Sequence, residues 1–339
     1  MAEMLIGTSA LPDADTDLIR STGIGWVRQG FPFPFEDRLG GRVPDDYRRA
    51  KSRAEAWAAA GLKVMGVSPL PVASRYEPDE AGTLRLGWTR RFPDGCGPLG
   101  SQQCNEAYKA TCRWLAEDLR GLVTMWQIAN ELDIEMFAGP LNPRQACELI
   151  LAGAAGLKAA DPSLLVGHNP AGAPAAYFLY GRLYGRADGL LDYCGVDGYY
   201  GTWAPGGPED WAGRIAELHE LTGVKVLVNE WGFASRGELA AQGEAPPGAA
   251  NCQLRAWHHT WGPGHTPDGQ AAFVREAFDA FCSQREALLG VFFYRWEDQQ
   301  RCWQCGSEDC PIETAWGLVD TQGRPKPSLD AFRNGAERL

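Results

Sequence analysis

Val123-Thr-Met-Trp-Gln-Ile-Ala-Asn130-Glu131 is an apolar run that ends abruptly in an amide and a carboxylate. A second run, Val224-Lys-Val-Leu-Val-Asn229-Glu230-Trp231-Gly232, closes on the same pair. Short apolar stretches of this kind suit strands buried on both faces. Working outward from these two, at 123–129 and 225–229, six further strands are expected at residues 4–8, 25–29, 63–68, 164–168, 193–199 and 290–294. Helical patterns fill intervals between them, at 46–60, 105–119, 143–160, 208–221 and 269–285. Asn142-Pro143 carries helix-start chemistry, an amide that caps and a proline that fits the first turn.

Eight strands, each followed by a helix or a loop, predict an α/β fold with a parallel sheet, and eight close naturally into a (β/α)8 TIM barrel. The competing doubly wound open sheet lacks its glycine-rich turn, because Gly7-Thr8-Ser9-Ala10 is no dinucleotide fingerprint. With no repeat and no low-complexity linker, residues 1–339 are expected to form a single catalytic domain. The connections at 69–100, 233–267 and 296–315 are long. They follow strands three, seven and eight, and so fall at the carboxyl end of the barrel, where barrel enzymes put their chemistry.

The 339 residues are 45% hydrophobic and 22% charged, enough to bury one large core. A formal net charge of −11 disfavours nucleic acid and anionic membrane as partners, since both need a basic face. No stretch approaches the ~20 apolar residues that span a bilayer. Residues 1–7 lack the features of a signal peptide, so the chain is expected to be cytoplasmic, or secreted or periplasmic if a leader has been removed. A monomer without a cofactor is expected. Thirteen tryptophans are plentiful. Trp203 and Trp231 are among those crowding the second half near glycine or proline, where aromatic faces can serve as platforms for apolar sugar faces.

Glu131 and Glu230 each end an apolar strand, where a charged side chain is costly unless it does something specific. In a closed barrel, strands four and seven face each other across the mouth, so two carboxylates can flank one small substrate. Glycosidic cleavage needs that pair: one carboxyl protonates the leaving oxygen, and the other attacks or activates water. For retention they stand about 5–5.5 Å apart.

Together with the ending Phe292-Phe-Tyr-Arg-Trp296, Glu313-Thr-Ala-Trp-Gly-Leu-Val-Asp320 and Pro325-Lys-Pro-Ser, these segments resemble glycoside hydrolase clan A, with families 5, 39 and 53 as comparable relatives. The resemblance implies a retaining glycoside hydrolase acting on an oligosaccharide or polysaccharide, with Glu131 as acid/base and Glu230 as nucleophile. It further implies that Asn130 binds the sugar 2-hydroxyl, that Arg28 holds the nucleophile ionised, and that Trp296 floors the subsite of the cleaved sugar. Tyr199, with Tyr200 as its rival, is the strand-six aromatic that donates to the nucleophile. Strand six departs from the His-X-Tyr of many family 5 members, reading Asp197-Gly198-Tyr199.

Other features leave alternatives open. His168 and Asn169 end strand five and either line the pocket or serve the core. Glu297 and Asp298 either contact sugar hydroxyls or cap their loop. Cys252, Cys302, Cys305 and Cys310 lie on two long loops and form disulfides, bind a structural zinc ion or stay free, and Cys96 with Cys104 is a further possible disulfide pair. The segment Trp257-His258-His259-Thr260-Trp261 reads as a sugar-contacting rim or as plain loop packing. The competing functions are an inactive carbohydrate-binding barrel and a metal-dependent barrel hydrolase. The latter would be expected to show a His-X-His on strand one, which this sequence lacks.

Overall fold

The computed structural model describes residues 4–185, 189–241 and 250–339. Part of the long connection expected at 233–267 and the first residues of the chain lie outside them. Eight parallel strands close into a barrel: β1 (Leu5–Thr8), β2 (Trp26–Gly30), β3 (Lys63–Val67), β4 (Val123–Gln127), β5 (Leu165–His168), β6 (Tyr193–Gly198), β7 (Val226–Trp231) and β8 (Leu288–Phe293). The ring closes through Leu5 opposite Gly290 and Thr8 opposite Phe293.

A helix follows every strand: α1 (Thr16–Arg20), α2 (Asp45–Ala59), α3 (Gln102–Asp118), α4 (Pro143–Ala160), α5 (Ala176–Tyr184), α6 (Asp210–Thr222), α7 (Pro267–Ser283) and α8 (Pro327–Arg338). Asn142 and Gln145 form the reciprocal capping box of α4, with Pro143 in its first turn. No helix among the described residues is long and apolar enough to cross a membrane.

The barrel interior is sealed by Trp26, Met65, Met125, Tyr193, Leu227 and Phe292, one residue from each of six strands. Above this apolar plug the inward positions turn polar: Arg28, Gln127, Asn169, Asp197 and Asn229. Gly195 keeps that layer open, since a Cβ there would stand 2.6 Å from Asn229 Oδ1.

Beyond Val228, strand β7 carries one residue more than its neighbours. Val196 and Asp197 of β6 pair with Val228 and Glu230, and Val291 and Phe293 of β8 pair with Val228 and Trp231. Leu227 and Asn229 face inward, so strict alternation would send Glu230 out and Trp231 in. The bulge reverses this. Glu230 turns into the barrel mouth, and Trp231 packs outward among Phe278, Phe281, Phe293 and Phe332 with no exposed surface. Burying an indole this fully is worth roughly 4–5 kcal/mol of transfer free energy.

The connection after β3 is not the plain loop that its sequence predicts. It folds into an antiparallel hairpin, Val72–Pro78 against Leu84–Arg90, turning at Asp79 and Gly82. The hairpin leans on the loops after β7 and β8, where Tyr76 N donates to Gln304 O at 2.7 Å and Leu84 N to Gln253 Oε1 at 2.7 Å.

Candidate active site

Glu230 has both carboxylate oxygens engaged. Arg28 Nη1, from β2, lies 2.7 Å from Oε1, and Tyr199 Oη donates to Oε2. The strand period decides which tyrosine is used. Tyr193 and Asp197 face inward, so Tyr199 does too, while Tyr200 turns toward α6 and packs edge-on against Trp211 at 5.2 Å. Burial pulls the Arg28 pKa down, but the Glu230 and Asp197 charges push it up further, so the guanidinium stays charged. Burial and the Glu230 charge hold Tyr199 well above the usual tyrosine range, so it remains a donor.

The rest of the guanidinium positions Asn130. Arg28 Nη2 donates to Asn130 Oδ1 at 2.6 Å, and the same oxygen accepts from Gln127 Nε2 at 3.0 Å and Asn169 Nδ2 at 2.8 Å. A cation can only donate, so the amide oxygen must face this side. The Asn130 Nδ2 is thereby aimed at Glu131 Oε2, at 3.3 Å. Gln127, which sequence reasoning missed, is the hub of this network. Its Oε1 accepts from Arg28 Nε at 2.8 Å and from Asn229 Nδ2 at 2.9 Å, tying β2, β4 and β7 together.

Glu131 is delivered by an unusual backbone. Ala129 and Glu131 have φ of 50° and 43°, left-handed values that favour glycine. Ser68 Oγ holds the Ala129 N–H at 2.8 Å, and Asn169 O holds the Glu131 N–H at 3.2 Å. Strained residues of this kind concentrate at functional sites. The Glu131 side chain is buried and forms no ion pair among the described residues. Burial first, then the charges of Glu230 and Asp133, drive its pKa well above the carboxylate range.

Asp197 is the third carboxyl of the set, and it too escaped the sequence reading. Its Oδ2 accepts from Asn169 Nδ2 at 2.5 Å. Burial, then Glu230 and Glu131, raise its pKa well above normal. Glu131 and Asp197, buried beside the single guanidinium of Arg28, are thus both pushed toward their protonated forms.

This has a consequence for stability. A carboxyl whose folded pKa is raised costs nothing below its unfolded pKa and destabilises increasingly as pH rises toward the folded value. Asp197→Asn is therefore expected to leave the melting temperature unchanged near pH ~4 and to raise it progressively toward pH ~8. Paired thermal melts across that range check this, and a uniform loss at every pH would contradict it.

These groups open into one cleft of about 1370 Å³ on the carboxyl face of the barrel. It runs from the hairpin, at Tyr76 and Leu86, past Glu131 and Glu230 to Tyr177 and Arg214 on α5 and α6. Tyr199, Tyr200, Trp203, Tyr294 and Trp303 give it aromatic walls. Glu313 adds a further acid, pushed up to about 8 by burial and then by Cys302.

Several sequence expectations are corrected. Trp231 is buried behind β7, for the reason given by the bulge. Trp296 belongs to the core under the loop and is 2% exposed; Tyr294 and Trp303 hold the wall instead. His168 points to the outer face of the sheet, its Nδ1 against Ile128 O at 2.7 Å, and burial lowers its pKa to about 4. Asn169 does not line the cleft but braces Asn130 and Asp197. Glu297 accepts from Leu11 N at 3.0 Å and pairs with Arg295, so it pins a loop rather than facing substrate. Trp257 is fully buried against Trp203 and Trp316, and its segment forms no rim. None of the ten cysteines is disulfide-bonded, the Cys96 and Cys104 pair included. Cys252, Cys302, Cys305 and Cys310 nevertheless converge behind the cleft wall.

The chain matches no protein-family model and no curated protein sequence. Its fold is shared with solved glycoside hydrolases. An exo-β-1,4-mannosidase from Opitutaceae bacterium strain TAV5 superposes with a TM-score of 0.64 at 16% identity, over 99% of this chain and 59% of that one. The family 53 catalytic domain of Ignisphaera aggregans gives 0.61 at 19% identity, over 96% and 91% of the two chains. The β-glycosidase BGL167 gives 0.64 at 15%, over 95% and 84%. The chain thus spans about three fifths of the mannosidase and most of the other two.

Proposed function

We propose that this chain is a retaining glycoside hydrolase that cleaves β-glycosidic bonds in an oligosaccharide or polysaccharide. The observation that carries it is the unequal treatment of two glutamates facing one cleft. Glu230 is gripped by a guanidinium and a phenol, while Glu131 is buried, forms no ion pair among the described residues and is driven to keep its proton. Environments that separate two carboxyls in this way assign one as nucleophile and the other as acid. The solved structures that share the fold are named as glycosidases, which supports glycoside hydrolysis in general.

In the first step a Glu230 oxygen bonds to the anomeric carbon as the carbon–oxygen bond to the leaving group breaks. Glu131 gives its proton to the departing oxygen. Asn130 Nδ2 is placed to hold the 2-hydroxyl, a contact that strengthens in an oxocarbenium-like transition state. Esterified Glu230 carries no charge, which removes the second-largest influence raising the Glu131 pKa. Glu131, now a carboxylate, takes a proton from water as that water displaces Glu230. The cleft exceeds the roughly 300–1,000 Å³ of a typical small-molecule pocket, which suits several linked sugars.

Incubation with aryl β-glycosides and a panel of β-linked oligosaccharides tests the proposal. Hydrolysis of at least one is expected, with the β-anomer of the product formed first. A barrel that binds sugars without turnover would refute it. Tyr199→Phe is expected to slow the reaction about 100-fold, as loss of one oriented donor does, and Tyr200→Phe to change it less than about twofold. Equal effects in steady-state kinetics would contradict the role given to Tyr199.

A further inference from the structure

Cys252, Cys302, Cys305 and Cys310 come from two loops that are far apart in sequence, yet their sulfurs all lie within 4.8 Å of one another. Cys252 Sγ and Cys302 Sγ are 3.7 Å apart. That is well beyond a disulfide bond of about 2.05 Å. It matches the separation of about 3.8 Å between corners of a tetrahedron with zinc–sulfur bonds of about 2.3 Å. Cys252, Cys302 and Cys310 are buried, and the cluster is walled by Trp257, Trp316 and Ile312.

The local chain has the shape of a metal-binding knuckle. Cys302 and Cys305 are separated by two residues, and Gly306 follows at φ 77°. That left-handed glycine lets the chain fold back, so Gly306 N donates to Cys302 O at 2.7 Å and Cys302 N to Ser307 O at 2.9 Å. Cys252 is the second residue of the short helix Asn251–Leu254, and Cys310 precedes the 3-10 turn Pro311–Glu313. Four thiols this close can ionise together only around a cation. All-sulfur tetrahedral donors select zinc or iron, and a redox-silent zinc ion is the common choice for a structural site.

We propose that Cys252, Cys302, Cys305 and Cys310 bind one structural Zn²⁺ that fixes one wall of the cleft. The wall hangs directly on the cluster. Trp303 and Gln304 lie between two of the ligands and line the cleft. Gln304 O receives the hairpin's Tyr76 N–H, and Gln304 Nε2 donates to Glu313 Oε1 at 2.6 Å. Glu313 Oε2 in turn accepts from Tyr294 Oη at 3.1 Å. The metal therefore ties the loops after β7 and β8, and the hairpin after β3, into one surface.

The full chain, purified without chelator and dialysed against metal-free buffer, is expected to retain one zinc per chain by elemental analysis. Titration with a mercurial should release it to a chromogenic chelator as the four thiols are consumed. Cys305→Ser is expected to cut retained zinc to below about a tenth, whereas Cys282→Ser, on α7, should leave one per chain. Cobalt substituted for zinc should show thiolate charge-transfer and intense tetrahedral d–d bands, a readout independent of any variant's folding. An intact mass short of the four hydrogens lost to two disulfides would overturn the proposal. So would ten freely titrating thiols with no metal, or iron in place of zinc. The metal content is read without substrate, so its outcome stands apart from that of the hydrolase proposal.

Discussion

Glu230→Ala is expected to lower kcat by about 10⁵-fold, roughly 7 kcal/mol in barrier height, and sodium azide to restore product of inverted anomeric configuration. The variant removes the carboxylate but leaves Arg28 and Tyr199, the two donors that addressed it. The vacated space beside a cation and a phenol suits a small anion. Azide bound there attacks from the face that Glu230 used, once rather than twice, so inversion follows. The variant also strands a buried guanidinium, and breaking such a pair costs about 3–5 kcal/mol of stability. Circular dichroism of the purified variant is the companion control. Rescue with retained configuration, or activity near that of the parent chain, would contradict the assignment.

Glu131→Ala is expected to behave differently. Substrates with poor leaving groups should lose about 10²–10⁴-fold in kcat/KM, the usual worth of a general acid. Aryl glycosides with good leaving groups need no proton and should lose little in the bond-breaking step. The pH profile gives a second check. The active form holds a proton on the Glu131 side of the coupled set, so activity falls as pH rises through the raised pKa. That basic limb should vanish in Glu131→Ala, while the acidic limb remains. Azide here attacks the glycosyl-enzyme in place of water and should yield a product of retained configuration. Equal losses for good and poor leaving groups would sink the role.

The barrel was legible because its strands are buried on both faces and so read as apolar runs. Val226-Leu-Val228 is all core, and so is Val123 with Met125 and Trp126. The hairpin was not legible, since most of its residues are exposed or half-buried and present no apolar face. The glutamates were legible as chain punctuation, two Asn-Glu pairs closing two strands. Side-chain direction near the barrel mouth was not. The single extra residue in β7 inverts the parity between Asn229 and Trp231, and no local pattern announces it. Trp296 looked like a platform because it follows strand eight, yet the chain turns after Phe293 and tucks it under Leu318, which donates to its carbonyl at 2.8 Å. Gln127 and Asp197 were hidden by a different rule. Polar residues inside a strand are ordinarily read as its solvent face, whereas here the inward face is polar above the plug of Trp26, Met65 and Tyr193. A carboxyl at 197, in step with Tyr199 two residues on, was the available signal.

Mass spectrometry of the wild-type chain inactivated by a 2-deoxy-2-fluoro glycoside of an accepted sugar tests the division of labour most directly. The fluorine slows both displacements, and a good leaving group lets the first outrun the second, so the glycosyl-enzyme accumulates. A single sugar is expected on the peptide that carries Glu230, discharged when a glycosyl acceptor is added. A label on Glu131, or steady turnover to the α-anomer with no label at all, would contradict the account.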